Sequence, residues 1–182
     1  MQPFHRREFL KLSAGIIFSS LVPCSAFGSV LKRLESRRTL SFYNVHTAEK
    51  LSLCYHENGA YQPEALESIN HLLRDFRTDE TRPIDPQLLD ILYRVRCKTG
   101  QDEPFHVISG YRSPKTNAML RRRTTGVAKS SLHTKGRAID IRVPGYATRR
   151  LRDLCVEMRA GGVGYYARSD FVHLDTGRVR SW

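Results

Sequence analysis

Apolar and polar positions alternate through Thr39–Val45 and Leu51–Tyr55, with the polar stretch His46-Thr47-Ala48-Glu49-Lys50 between them. Alternation with aromatic residues reads as two strands, and the short break predicts a hairpin. Asn58-Gly59 marks a further turn. The period then changes: Leu66, Ile69, Leu72, Leu73 and Phe76 recur at helical spacing, so Glu64–Phe76 is predicted to be an amphipathic helix. Asp85 and Pro86 supply a cap and a first-turn proline for a second helix running to about Lys98. Leu88, Leu89, Leu92, Tyr93 and Val95 form its apolar side, and Gly100 ends it.

The second half has shorter periods. Phe105–Ser109 reads as a strand leading into Gly110-Tyr111-Arg112-Ser113-Pro114, where Ser113 can cap a helix to about Arg122. A Gly/Thr/Ser-rich loop, Thr124–Leu132, precedes a strand at Arg137–Val143. Thr148 can cap a helix over Arg149–Arg159, Gly161–Tyr166 leads into a strand, and Phe171–Thr176 forms another. Short strands mixed with helices and joined by short links predict a single α+β domain with a mainly antiparallel sheet and flanking helices.

Residues 1–28 have another texture. Arg6, Arg7 and Lys11 precede an apolar stretch from Leu12 to Val22, followed by Pro23 and the small-residue site Ala26-Phe27-Gly28. That order is expected of a secretory signal peptide, and the apolar run is too short for a membrane span. Arg6-Arg7-Glu8-Phe9-Leu10-Lys11 resembles a twin-arginine export signal, which implies the twin-arginine translocase as an export partner and the periplasm as destination. Cleavage is expected after Gly28, with Ala26 the competing position. Residues 29–38 are then a polar leader, and 39–182 the folded domain.

Composition narrows the function. The 182 residues carry 30 Lys+Arg and 18 Asp+Glu, a formal net charge of +12. In an exported protein such charge suits anionic envelope polymers, not nucleic acid, and the run Arg121-Arg122-Arg123 reads as a solvated helix end. Cys54, Cys97 and Cys155 form no CxxC pair, so a zinc ribbon is absent. Folding before export, in a reducing compartment, predicts mostly buried thiols and no disulfide framework.

Three residues carry the candidate chemistry. In Arg137–Val143, alternation puts Asp140 on the face opposite Ile139 and Ile141. In the last strand His173 and Asp175 lie opposite Val172 and Leu174. If the two strands are neighbours, Asp140 and His173 converge, and His133 in the preceding loop can complete the set. Two imidazoles and a carboxylate with an open fourth position form a catalytic zinc pattern.

Ser131-x-His133-x-x-Gly136-x-Ala138-x-Asp140 resembles the S-x-H-x-x-G-x-A-x-D signature of the D-Ala-D-Ala metallopeptidases, which group with lysostaphin-type peptidases and the hedgehog fold. Further phrases resemble the YcbK-type murein endopeptidases: Ile108-Ser109-Gly110-Tyr111-Arg112-Ser113, Gly126–Ser130, Arg159–Tyr166 and Phe171-Val172-His173. The resemblance covers essentially the whole chain. It implies a periplasmic zinc peptidase that cuts peptide cross-links between the stem peptides of peptidoglycan. It also implies Zn2+ held by His133, Asp140 and His173, and Arg112 aimed at the substrate carbonyl. The general base is open. Asp170 occupies the position of the Glu in the E-x-W-H of carboxypeptidase relatives, but it is one methylene shorter and strand parity turns it away. Asp175 has the right parity and can instead orient a ligand imidazole, with Ser131 as further support; His106 and Tyr111 stay open as bases. The competing functions are a D-Ala-D-Ala carboxypeptidase or dipeptidase, and a non-catalytic peptidoglycan-binding protein of the same fold.

Overall fold

The computed structural model describes residues 37–123 and 127–182. The predicted signal peptide (1–28), most of the predicted leader (29–38) and part of the loop after Arg123 lie outside the described residues.

Eight strands form one sheet in the order β3-β2-β1-β4-β5-β7-β6-β8. The first hairpin pairs β1 (Arg38–Asn44) with β2 (Lys50–Glu57) in antiparallel register. In β1, Leu40, Phe42 and Asn44 are buried at alternate positions, which is why the segment extends and faces the core as it does. Asn44 is polar but satisfied: its Nδ2 donates to the Leu72 carbonyl at 3.0 Å and its Oδ1 accepts from the His46 N–H at 3.0 Å. Asn58 and Gly59 both take positive φ and turn the chain into β3 (Ala60–Tyr61), a two-residue strand that alternation alone is too short to reveal.

Helix α1 (Pro63–Leu72) ends four residues before the expected Phe76. The apolar spacing continues, but Asp75 closes a turn instead, accepting the Arg77 N–H at 3.0 Å while its own N–H reaches the Glu80 carbonyl at 3.0 Å. Phe76 stacks on His46. Helix α2 (Pro86–Thr99) follows its predicted signals: Asp85 accepts from the Gln87 N–H, and Gly100 sits at φ 63°. It buries Leu88, Leu89, Ile91, Leu92 and Val95, each contributing roughly 1.5–3 kcal/mol of transfer free energy.

The remaining elements are β4 (Phe105–Ser109), α3 (Pro114–Arg123), a 3-10 turn at Leu132–Lys135, β5 (Ala138–Arg142), α4 (Thr148–Met158), β6 (Gly162–Tyr166), β7 (Phe171–Asp175) and β8 (Arg180–Ser181). Ser113 caps α3 as predicted, its Oγ accepting from the Thr116 N–H at 3.1 Å. Thr148 does not cap α4. Ala147 holds that position without a side-chain bond, and the Thr148 hydroxyl engages Asp170 instead.

The sheet is mixed, a coarser result than the antiparallel expectation. β1 runs parallel to β4, and β6 parallel to β8; the other neighbours are antiparallel. A crossover that includes α1 and α2 separates β1 from β4, long enough to return the chain in the same direction. α1 packs on β2, α2 on β1, and α4 on β6 and β7. Their apolar stripes meet Leu40, Phe42, Ile139, Ile141, Val172 and Leu174 in one core, and the opposite face of β5 and β7 is left for chemistry. Only Cys155 of the three cysteines is buried, which corrects the expectation of mostly buried thiols: Cys97 lies on the exposed side of α2 and Cys54 is half-buried. All three are free thiols. No helix among the described residues is long and apolar enough to cross a membrane.

Candidate metal centre

The register of β5 and β7 puts Asp140 directly opposite His173. Because neighbouring strands lie under 5 Å apart, cross-strand partners on one face meet without long side chains. His133 reaches the same point from the 3-10 turn before β5. That turn ends at Gly136, whose φ of 66° suits glycine, and a Cβ there would collide with the Pro83 carbonyl. The Ser131 carbonyl accepts both the N–H (3.1 Å) and the hydroxyl (2.7 Å) of Thr134, which tightens the turn around His133.

Three donor atoms converge. His173 Nδ1 lies 2.8 Å from Asp140 Oδ1, His133 Nε2 lies 3.2 Å from the same oxygen, and the two ring nitrogens are 3.1 Å apart. All three residues are under 9% exposed. The outer contacts set the tautomers. His133 Nδ1 sits 2.7 Å from the Gly110 carbonyl, an acceptor only, so it carries the proton. His173 Nε2 sits 3.0 Å from Asp175 Oδ2, so in a neutral ring the proton belongs there. With both rings neutral, what faces inward is two bare nitrogen lone pairs and a carboxylate oxygen. Three acceptors about 3 Å apart repel one another unless a cation lies among them, and their spacing is close to that of ligand pairs about a tetrahedral ion with ~2.0–2.1 Å bonds. The residues present fit a metal ion.

The electrostatics agree. Burial pushes the His173 imidazole down, but the Asp140 and Asp175 carboxylates outweigh it and raise its pKa to about 9, so at neutral pH a metal ion binding at Nδ1 displaces a proton held there by Asp140. Burial alone would raise Asp140, yet the charges and hydrogen bonds of His133 and His173 hold it well below the usual carboxylate range. Burial lowers His133. The pocket draws positive charge to its centre, as a metal-binding site must.

Asp175 is 1% exposed and fully engaged. Besides His173, it accepts the N–H groups of Gly162 and Gly177 and both terminal nitrogens of Arg180, at 2.6–3.1 Å. Arg112 brings a cation to the other side, with Nη2 3.6 Å from Asp140 Oδ2 and 3.3 Å from Ser109 Oγ. Desolvation lowers its pKa.

The structure does not bring Asp170 to this cluster. It takes φ 50° at the end of a second 3-10 turn, and its carboxylate bonds the Thr148 hydroxyl and lies 3.6 Å from Arg142 Nε. His106 packs edge-on against Tyr43, and Tyr111 belongs to the hydrophobic core.

An open cleft of about 800 Å³ covers the three donors. Arg77, Arg112, Arg142, Arg180, Tyr166 and Trp182 line its walls. Arg180 and Trp182 are among those the sequence does not reveal, for a physical reason. Both act through β8, a two-residue strand with no period to detect; there Trp182 exchanges backbone bonds with Val163 and Tyr165 and rests 5.3 Å from the His173 ring. Gly164 makes that possible, since a Cβ would lie 2.8 Å from the indole.

A family model described as "Peptidoglycan L,D-endopeptidase MepK" matches residues 32–182. The chain is 42% identical over 178 residues to the peptidoglycan L,D-endopeptidase MepK of Escherichia coli (strain K12), covering 98% of this chain and 97% of that protein. It is 38% identical over 179 residues to the probable peptidoglycan L,D-endopeptidase MepK of Haemophilus influenzae, covering 98% of this chain and 95% of the relative.

Proposed function

The chain belongs to the peptidoglycan L,D-endopeptidase MepK family, and from that premise we propose that it is a zinc-dependent murein endopeptidase that hydrolyses peptide cross-links between stem peptides. The observation that carries the reading is the convergence of two imidazole lone pairs and one carboxylate, buried at the floor of a basic cleft.

His133, Asp140 and His173 would hold the ion. When bound, zinc supplies Lewis acidity toward the scissile carbonyl. Every further step belongs to the chain's own side chains. Gly110 and Asp175 keep the two imidazoles in the tautomer that offers a lone pair inward. Arg112 holds a guanidinium at the rim of the site, where negative charge develops on the carbonyl oxygen. Its one side-chain hydrogen bond, to Ser109, leaves other N–H donors for the substrate. Asp170 stands at the position of the carboxypeptidase relatives' base, and in this structure its carboxylate bonds the Thr148 hydroxyl and lies toward Arg142. Ser131 supports the turn that carries His133.

Peptidoglycan as substrate implies work in the cell envelope. Residues 1–28 are proposed to direct the chain through the twin-arginine translocase to the periplasm, leaving 29–38 as a leader and 39–182 as the peptidase domain. The deciding experiment incubates zinc-loaded mature protein with defined muropeptide dimers and identifies products by mass. Monomers from cross-linked dimers are expected. Dimers left intact, or release of a terminal residue alone, would overturn the endopeptidase reading.

A further inference from the structure

Four guanidiniums line the cleft, and three of them are held by acids. Arg112 faces Asp140, Arg180 bridges Asp175, and Arg142 lies against Asp170 while bonding the carbonyls of Ser169 and Asp170. Arg77 is different. It pairs with no carboxylate among the described residues, yet it is not loose. Its guanidinium lies 4.1 Å from the centroid of the Phe76 ring, and that ring stacks on His46 at 3.8 Å and 16°. His46 in turn bonds the Ile108 carbonyl through Nε2 at 3.1 Å. A cation set on a stacked tier has lost much of its rotamer freedom before any ligand arrives.

Its backbone is fixed as well. One carboxylate, Asp75, 2% exposed, accepts the Arg77 N–H through Oδ1 at 3.0 Å and the Ser113 N–H through Oδ2 at 2.8 Å. The Tyr111 N–H donates to the Leu73 carbonyl at 2.7 Å. The turn that presents Arg77 is therefore bolted to the turn that presents Arg112. Arg77 stands at a set offset from the reacting centre, with its charge uncommitted.

Resting on the murein endopeptidase reading, we propose that Arg77 is the specificity-determining residue of a carboxylate subsite: it binds a free carboxylate of the stem peptide beside the scissile bond. Stem peptides built from diamino diacids keep one such carboxylate when the other is spent in an amide. A planar fork on an aromatic face matches a carboxylate's two oxygens. Arg142 and Arg180 already spend their forks on the protein, and Arg112 faces Asp140 at the reacting centre.

The test crosses enzyme and ligand. Zinc-loaded wild type, Arg77→Gln and Arg77→Lys are titrated with a disaccharide-tetrapeptide monomer whose diaminopimelate carboxylate is free or amidated, and binding is read by calorimetry. Wild type is expected to prefer the free carboxylate by roughly 10–100-fold, as a charge-assisted pair would give. Arg77→Gln should bind both forms alike, and Arg77→Lys should keep part of the preference. Equal binding of both forms by wild type, or a full preference surviving in Arg77→Gln, overturns the proposal. Hydrolysis of muropeptide dimers is scored separately on the same preparations. Loss of the carboxylate preference with dimers cut by wild type condemns the subsite alone, while intact dimers with the preference present condemn the endopeptidase reading alone.

Discussion

His173 and Asp175 lie two residues apart on one face of β7, and the Nε2–H of the first meets the carboxylate of the second at 3.0 Å. The contact sets which ring nitrogen remains bare. Replacing the carboxylate by an amide weakens that control, since an amide can present its NH2 group to the ring. Asp175→Asn is expected to lower zinc affinity by roughly 10–100-fold, measured by competition with a chelator of known affinity. Unchanged affinity would show that the ring needs no such partner.

The three donors should each be required for the ion. Mature protein is expected to carry about one zinc per chain by elemental analysis. His133→Ala, Asp140→Ala and His173→Ala should each abolish stoichiometric binding while circular dichroism stays that of the folded protein. The apolar faces of β5 and β7, with Ile139, Ile141, Val172 and Leu174, are untouched by these changes.

Arg112 separates binding of the ion from stabilisation of the transition state. Arg112→Ala should retain zinc and lower kcat by roughly 10²–10³. Lysine should recover part of this, having the charge without the fork. A loss of zinc in Arg112→Ala would mean that the guanidinium instead holds Asp140 in place.

Asp75 gives a pH signature in stability. Burial would raise its pKa, but hydrogen bonds from Thr116, Ser113 and the Arg77 N–H outweigh it and hold the value below the ordinary one. A depressed carboxylate adds stability that is complete above its unfolded pKa of ~3.9 and disappears as pH falls through the folded value. The gap in unfolding free energy between wild type and Asp75→Asn should therefore be largest above about pH 5 and shrink in acid. Denaturant titrations at stepped pH measure it, and a gap independent of pH would contradict the assignment. Asp75→Ala should cost on the order of 3 kcal/mol at neutral pH, because the buried Ser113 N–H and the part-buried Arg77 N–H lose their acceptor.

Export can be checked without any structure. Changing Arg6 and Arg7 together to Lys should leave the protein in the cytoplasm, because the translocase reads the guanidinium pair rather than charge. Fractionation of cells with the precursor detected by immunoblot decides it; periplasmic protein from the double variant would count against a twin-arginine route.

Much of this molecule is written in short-range patterns. Asp85-Pro86 and Gly100 bound α2 because caps act over three or four residues. The face shared by Asp140 and His173 follows from period two, once β5 and β7 pair. What local pattern could not carry is who pairs with whom. The parallel junction of β1 with β4 depends on a crossover through two helices, and no residue in either strand announces it. The helical spacing through Phe76 was real, but Asp75 had a better use for its backbone in a turn. Arg77 was invisible for the same reason: its role depends on a loop meeting another loop 35 residues away, through an acid whose sequence neighbours look like the end of a helix.

His133 and the turn carrying Arg112 hold each other reciprocally. His133 Nδ1 donates to the Gly110 carbonyl at 2.7 Å, and the Arg112 N–H donates back to the His133 carbonyl at 3.2 Å. Two segments far apart in the chain thus form one rigid clasp, and neither can drift through sequence change alone. For anyone transplanting this chemistry to another scaffold, residues 110–113 and 131–136 are a single part: grafted separately, each would arrive with its ring or its guanidinium aimed at nothing.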